Sequence, residues 1–158
     1  MKFVKEDTQV ILREVPDEIS LSINISNCPH RCPGCHSPYL QKNEGEELTI
    51  DVIDELVDKN KGISCICFFG GDANKEELYC LIKLVKEHHP ELKISLYSGD
   101  DRIDYKIADV LDYYKVGSYV KELGPLDSKT TNQRMYRIDR GTCVNFVDIT
   151  SKFYTKIF

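Results

Sequence analysis

The stretch CPHRCPGCHSP, Cys28 to Pro38, places three thiols, Cys28, Cys32 and Cys35, within one short loop. Thiolates gathered this closely are first of all metal ligands. Their spacing, CxxxCxxC, is neither the CxxCxxC of bacterial ferredoxins nor the CxxxxCxxC of plant-type ones, and structural zinc usually shows two separated CxxC-like pairs. Pro29, Pro33, Gly34 and Pro38 bar a helix and favour tight turns, so three sulfurs can converge on one face of an iron–sulfur cubane. A [4Fe–4S] cluster held by three thiolates keeps one iron without a protein ligand, and an open coordination position distinguishes a reactive metal centre from a closed structural one. The residues alone leave two other readings open. His36 or His30 completes a Cys3His site in a zinc-stabilised binding module without catalysis, or the three thiols carry no metal.

A second group of residues closes the apolar run ISCICFF. Gly70 and Gly71 lack a Cβ, which lets backbone carbonyls come close to a ligand, and Asp72 adds charge beside them. A plain strand-to-helix turn explains GGD equally well. Ser98 and Asp100 end the run KISLYSG, where turn capping accounts for both. Cys65 and Cys67 alternate on one face of an apolar strand and read as core packing. Cys80, on a helix, and Cys143, near a late strand, read as inert, and His88-His89 before Pro90 as a solvated helix end.

These groups need elements to hold them. TQVILREV (Thr8 to Val15) and EISLSINIS (Glu18 to Ser26) predict two strands about the turn at Pro16-Asp17, the second ending where the cysteines begin. TIDVIDELVDKNKG predicts a helix with Thr49 as N-cap, Gly62 as stop and Ile50, Val52, Ile53, Leu56 and Val57 along one face. A buried strand follows over Ile63 to Gly71. Asn74 and Glu77 then open a helix carrying Leu78, Leu81, Ile82 and Val85 and ended by Pro90. Lys93 to Gly99 is a further core strand, about Arg102 to Tyr114 a helix, and Tyr114 to Lys121 a fourth strand. RMYRID and CVNFVDIT predict late strands beyond the polar loop Leu123 to Arg134. Strands alternating with helices imply parallel pairing through right-handed crossovers, with functional loops at the carboxyl ends of the strands. Both the cysteine loop and GGD fall at such ends.

Composition bounds the rest. The chain has 158 residues, 41% hydrophobic and 30% charged, enough for one domain over 1–158 that folds without disulfides or a structural metal. No apolar run approaches the roughly 20 residues of a membrane span. The charged opening MKFVKEDTQVILREVPDE lacks the features of a secretory signal, so a cytoplasmic location is expected, with no membrane partner. There the seven cysteines stay reduced. A formal charge of −5, with no basic patch, argues against nucleic acid as a partner.

CxxxCxxC after a first core strand with GGD after a second resembles the radical S-adenosylmethionine superfamily. CPGCHSP, FFGGD, a strand ending YSG, and TTNQR near the carboxyl end, in that order, resemble more narrowly the activating proteins of anaerobic ribonucleoside-triphosphate reductase. The resemblance implies an α/β fold, a partial (β/α) barrel of the radical S-adenosylmethionine type with a mostly parallel sheet, since 158 residues are too few for a full one. It implies a [4Fe–4S] cluster on Cys28, Cys32 and Cys35, and S-adenosyl-L-methionine bound at the remaining iron. Reductive cleavage there yields a 5′-deoxyadenosyl radical that installs a glycyl radical on the reductase. A low-potential donor such as flavodoxin supplies the electron. No catalytic side chain beyond the cluster ligands is implied.

By the same resemblance Gly70, Gly71 and Asp72 receive the methionyl end of the cofactor, Ser98 approaches the ribose, and Gly34 with His36 lines the adenosyl part. Gly34 stands where many superfamily members carry an aromatic residue that packs on adenine. GGD is followed here by Ala73-Asn74 where the family usually has proline, which leaves Asn74 to start the helix. The loop Thr131 to Arg134 is a docking or cofactor-contact element. The alternative target is another glycyl-radical enzyme or a small molecule. Larger activases of that kind often carry extra ferredoxin-like cysteine clusters, which this chain lacks.

Overall fold

Each core strand alternates between two different surroundings, and that alternation organises the molecule. The computed structural model describes residues 1–154. A short strand β1 (Lys2–Phe3) leads into β2 (Gln9–Ile11) and β3 (Ser20–Asn24), and β4 (Glu46–Glu47) returns to pair antiparallel with β1. The chain then runs through α1 (Ile50–Lys59), β5 (Cys65–Phe69), α2 (Lys75–His88), β6 (Lys93–Tyr97), α3 (Tyr105–Ala108), β7 (Tyr113–Val116), β8 (Arg134–Arg140) and β9 (Val144–Asp148). Among the described residues the main sheet has the order β2-β3-β5-β6-β7-β8-β9. Its central strands β3, β5, β6 and β7 are parallel, while β2, β8 and β9 join antiparallel at the sides. The parallel order expected from the alternating pattern is what forms.

Register explains the two faces. Leu21, Ile66 and Ile94 lie side by side, as do Ile23, Phe68, Leu96 and Tyr114, and this apolar face packs against the helices. Ile53, Leu56 and Val57 of α1 and Leu78, Leu81, Ile82 and Val85 of α2 cover it. Each such side chain, fully buried, contributes about 1.5–3 kcal/mol. The other face carries smaller and more polar rows, among them Ser22, Cys67, Ser95 and Tyr113, and then Asn24, Phe69, Tyr97, Lys115 and Met135. Val15, Cys65, Cys67, Tyr113, Met135 and Ile149 form a second buried cluster there. Cys65 and Cys67 therefore pack in an interior.

Local signals place the helices. The Thr49 hydroxyl accepts the Val52 N–H at 3.4 Å to cap α1. Asn74 accepts the Glu77 N–H at 3.2 Å and its amide donates to the Glu77 carboxylate at 2.9 Å, a capping pair that starts α2 directly after GGD.

Three elements are shorter than the sequence predicts. The helix expected over about Arg102 to Tyr114 contracts to α3, because Asp112 is drawn beside β6: its N–H donates to Ile94 O at 2.8 Å and its carboxylate accepts the Ile94 N–H at 2.9 Å. Strand β7 starts at once and ends at Val116, where Gly117 adopts φ 108°. The first predicted strand ends at Ile11. Beyond it the chain leaves the sheet, buries Val15 on the second face and presents the Glu14 carbonyl to the Tyr97 hydroxyl.

Candidate metal centre

The four parallel strands deliver four loops to one edge of the sheet. The loop after β3 carries the cysteines, that after β5 Gly70-Gly71-Asp72, that after β6 Ser98-Gly99-Asp100, and that after β7 Gly117-Ser118-Tyr119. Ligand sites in parallel sheets form at this end because neighbouring loops diverge there and leave a crevice.

The cysteine loop is a closed excursion. Asn27, at φ 63°, turns the chain out of β3, its N–H donates to Lys42 O at 2.8 Å, and the Cys28 N–H donates to Leu40 O at 2.8 Å. Within the loop Arg31 donates to Cys28 O at 2.7 Å and the Cys35 N–H to Cys32 O at 3.1 Å. All three thiols are free and partly exposed, and burial, with help from the nearby Asp72 charge, raises the pKa of Cys28.

A cleft of about 1380 Å³ opens beside them. Cys28, Cys32, Cys35, His36, Gly70, Asp72 and Ser98 line it, so seven of the nine residues singled out by sequence meet at one surface. Gly34 and Gly71 are not among its lining. A Cβ on Gly71 would lie 2.6 Å from Leu78 Cδ2, so this glycine faces the core, whereas one on Gly70 would lie 2.9 Å from Ile25 O. Both have φ near 100°, at 101° and 93°, which L side chains rarely adopt.

Asp72 is nearly buried and fully occupied: its carboxylate accepts from Ser98 Oγ at 2.7 Å, from the Gly99 N–H at 2.8 Å and from His30 Nε2 at 3.0 Å. The Ser98 hydroxyl accepts the Asp100 N–H at 3.0 Å as well. Asp72 and Ser98 thus bind three loops to each other. His30 Nε2 also lies 3.3 Å from Asp100 Oδ1, while Lys75 holds the other oxygen of Asp100. Gly99 makes room for this: a Cβ there would sit 2.5 Å from the His30 ring.

Lys115 is the cation in the deep part of the cleft. It is buried, its ammonium donates to Gly117 O at 2.7 Å and Ser98 O at 3.2 Å, and it lies 6.0 Å over the centroid of the Tyr97 ring. Burial pushes its pKa down to about 8, against the pull of Asp72. Sequence reading passed over Lys115, although a lone lysine inside the apolar run YYKV is the signal that could have found it. His30 entered only as a zinc ligand, and Tyr119 not at all. In the late polar loop Gln133 is buried and lines the cleft, the Asn132 amide donates to Ser118 O at 2.9 Å, and Arg134 folds back onto Thr131 O and Gln133 O. At the far end of α2, His88 and His89 both contact Asp54 of α1, at 2.8 and 2.7 Å, and are part of the helix packing.

Among the described residues the one trio of ligand atoms within 4.8 Å of one another is His30, Asp72 and Asp100. The three thiols are a separate donor set, all of sulfur. A multi-iron cluster, in which each thiolate has its own iron, fits this donor set.

Residues 19–138 match the family described as a 4Fe-4S single cluster domain. The chain is also 31% identical, over 71% of its own length and 80% of the other's, to the anaerobic ribonucleoside-triphosphate reductase-activating protein of Enterobacteria phage T4. The chain belongs to the family of anaerobic ribonucleoside-triphosphate reductase-activating proteins. No solved structure matches it. Family membership bears out the resemblance carried by CPGCHSP, FFGGD and TTNQR, and the matched span runs from β3 into β8, across all four site loops. Among the described residues no helix is long and apolar enough to cross a membrane.

Proposed function

We propose that the protein is a radical S-adenosylmethionine activase that installs a glycyl radical on an anaerobic ribonucleoside-triphosphate reductase. One observation carries this reading: three cysteines, and no fourth, open onto a cleft of about 1380 Å³ whose deep part holds a buried ammonium, Lys115. Ligand pockets commonly span about 300–1,000 Å³, so the cleft has room for a nucleoside-sized cofactor and part of a second molecule. The four parallel strands with all site loops at one edge support reading the sheet as a partial (β/α) barrel.

A cluster held here would supply the single electron for reductive cleavage of S-adenosylmethionine, and with it the radical chemistry at the target glycine. The chain itself binds and orients. Cys28, Cys32 and Cys35, which line the cleft, would hold a [4Fe–4S] cluster through three thiolates. The Lys115 ammonium would meet the cofactor's carboxylate, and the carbonyls around Gly70 would meet its ammonium. Asp72, whose oxygens are taken by Ser98, Gly99 and His30, keeps the cysteine loop in register with the loops after β5 and β6. Phe69 and Tyr97, with ring centroids 4.6 Å apart, give the cleft an apolar wall. The protein acts in the cytoplasm, and a low-potential carrier such as flavodoxin supplies the electron.

The test is to mix the reconstituted, reduced protein with S-adenosylmethionine and the reductase under anaerobic conditions and record EPR spectra. A glycyl doublet on the reductase is expected. Cofactor cleavage without the doublet would reassign the target to another glycyl-radical enzyme or a small molecule, and a colourless zinc protein would end the radical reading.

A further inference from the structure

We propose that Tyr119, from the loop after β7, is the aromatic surface on which the nucleobase of the cofactor stacks, with His36 as the adjoining side of the same slot. The proposal rests on the S-adenosylmethionine reading and extends it to a residue that the cysteine loop does not contain.

The cysteine loop cannot supply this surface from position 34. Gly34 has φ 77°, a conformation L side chains rarely adopt, and a Cβ built there would lie 3.5 Å from Tyr119 Cε1. The loop instead packs in ordinary van der Waals contact beside the Tyr119 ring. Tyr119 lines the cleft together with Cys32, Cys35 and His36. The His36 and Tyr119 ring centroids are 5.7 Å apart with planes inclined at 55°. Rings so inclined are not stacked on each other, and Tyr119 is partly exposed beside the cleft.

The backbone under Tyr119 is held before any ligand arrives. Asp101 Oδ1 accepts from the Ser118 N–H at 2.9 Å and from the Ser118 hydroxyl at 3.0 Å, and the Asn132 amide donates to Ser118 O at 2.9 Å. This gives the NQR stretch a physical task, since Asn132 fixes the residue next to Tyr119. A flat, partly exposed aromatic held in this way loses little freedom on binding, and any purine offers it a π-face. With Lys115 and Gly70 lining the same cleft, the methionyl end has polar partners and the base an aromatic one.

Equilibrium dialysis of the anaerobic, reconstituted protein tests this with three probes: S-adenosylmethionine, 5′-methylthioadenosine and methionine. Tyr119→Ala should weaken binding of both nucleoside probes by about tenfold or more, Tyr119→Phe should bind them within about twofold of the parent protein, and neither should alter methionine binding. Unchanged binding of 5′-methylthioadenosine by Tyr119→Ala would overturn the assignment, as would an equal fall for methionine, which would mark a loop distortion. If Tyr119→Ala takes up no iron, Tyr119→Leu decides, because it keeps bulk against Gly34 and removes the ring: tenfold weaker nucleoside binding sustains the proposal and parental binding overturns it. Failure of the unaltered protein to bind S-adenosylmethionine would overturn the activase reading and this slot together, whereas parental binding by the variants would overturn the slot alone.

Discussion

His30 Nε2 lies 3.0 Å from Asp72 Oδ2, joining the middle of the cysteine loop to the turn after β5. The same nitrogen is 3.3 Å from Asp100 Oδ1, so one imidazole ties three of the four site loops. His30 thereby fixes where the cysteine loop sits relative to the loops after β5 and β6.

His30→Ala should therefore separate cluster loading from cofactor binding. Iron content is expected to stay at the parental level, because all three thiols remain, while affinity for S-adenosylmethionine falls by roughly tenfold through misplacement of the loop. Iron analysis and equilibrium dialysis on one preparation check both. Parental affinity in the variant would show that the loop holds its place without this contact.

The loop and core cysteines should divide by position. Cys28→Ala, Cys32→Ala and Cys35→Ala are each expected to abolish the brown iron–sulfur chromophore, whereas Cys65→Ala and Cys67→Ala should retain it and lose about 1–2 kcal/mol of stability, as small cavities in a packed interior do. Iron content and urea unfolding separate the two outcomes.

Lys115 predicts a pH dependence of defined sign. Its folded pKa is about 8, against about 10.4 for an unperturbed lysine. Below about pH 8 both states carry the proton and the folded state bears the whole cost of the buried charge. Between these values the unfolded chain binds more protons, so stability rises with pH by at most about 3 kcal/mol. Urea midpoints of the apoprotein at pH 7.5 and pH 10 should show the parental protein gaining on Lys115→Met. Parallel curves for the two would place the ammonium in water.

At GGD the expected effect is steric. Gly70→Ala puts a methyl 2.9 Å from Ile25 O at φ 93°, and Gly71→Ala puts one 2.6 Å from Leu78 Cδ2 at φ 101°. Each should cost about 1–3 kcal/mol. The Gly70 change should also reduce cofactor affinity, because this residue faces the cleft and Gly71 does not. Thermal unfolding and dialysis distinguish the two.

The sequence displayed whatever repeats or punctuates. The apolar runs around Ile66 and Leu96, the Asn74–Glu77 cap and the spacing of Cys28, Cys32 and Cys35 are local signals, and each has its counterpart in the fold. Long-range demands were illegible. Asp112 ends a helix because β6 needs a partner for the backbone of Ile94, a requirement 18 residues away in the chain. Asp72 reads as a charge beside a ligand, yet its oxygens are claimed by Ser98, Gly99 and His30, which meet it only after the sheet assembles. Tyr119 was hidden for a related reason, since a tyrosine in a loop acquires meaning only from the walls it faces, whereas Lys115 left a local trace as the one charge within YYKV.

The closed excursion of residues 27–42 stands apart from both buried clusters: its ends are latched by Asn27 to Lys42 and Cys28 to Leu40, and none of its residues belongs to either. The sheet and its helices are therefore expected to fold without a metal, so that a cluster would be built into a finished scaffold and its loss would leave that scaffold standing.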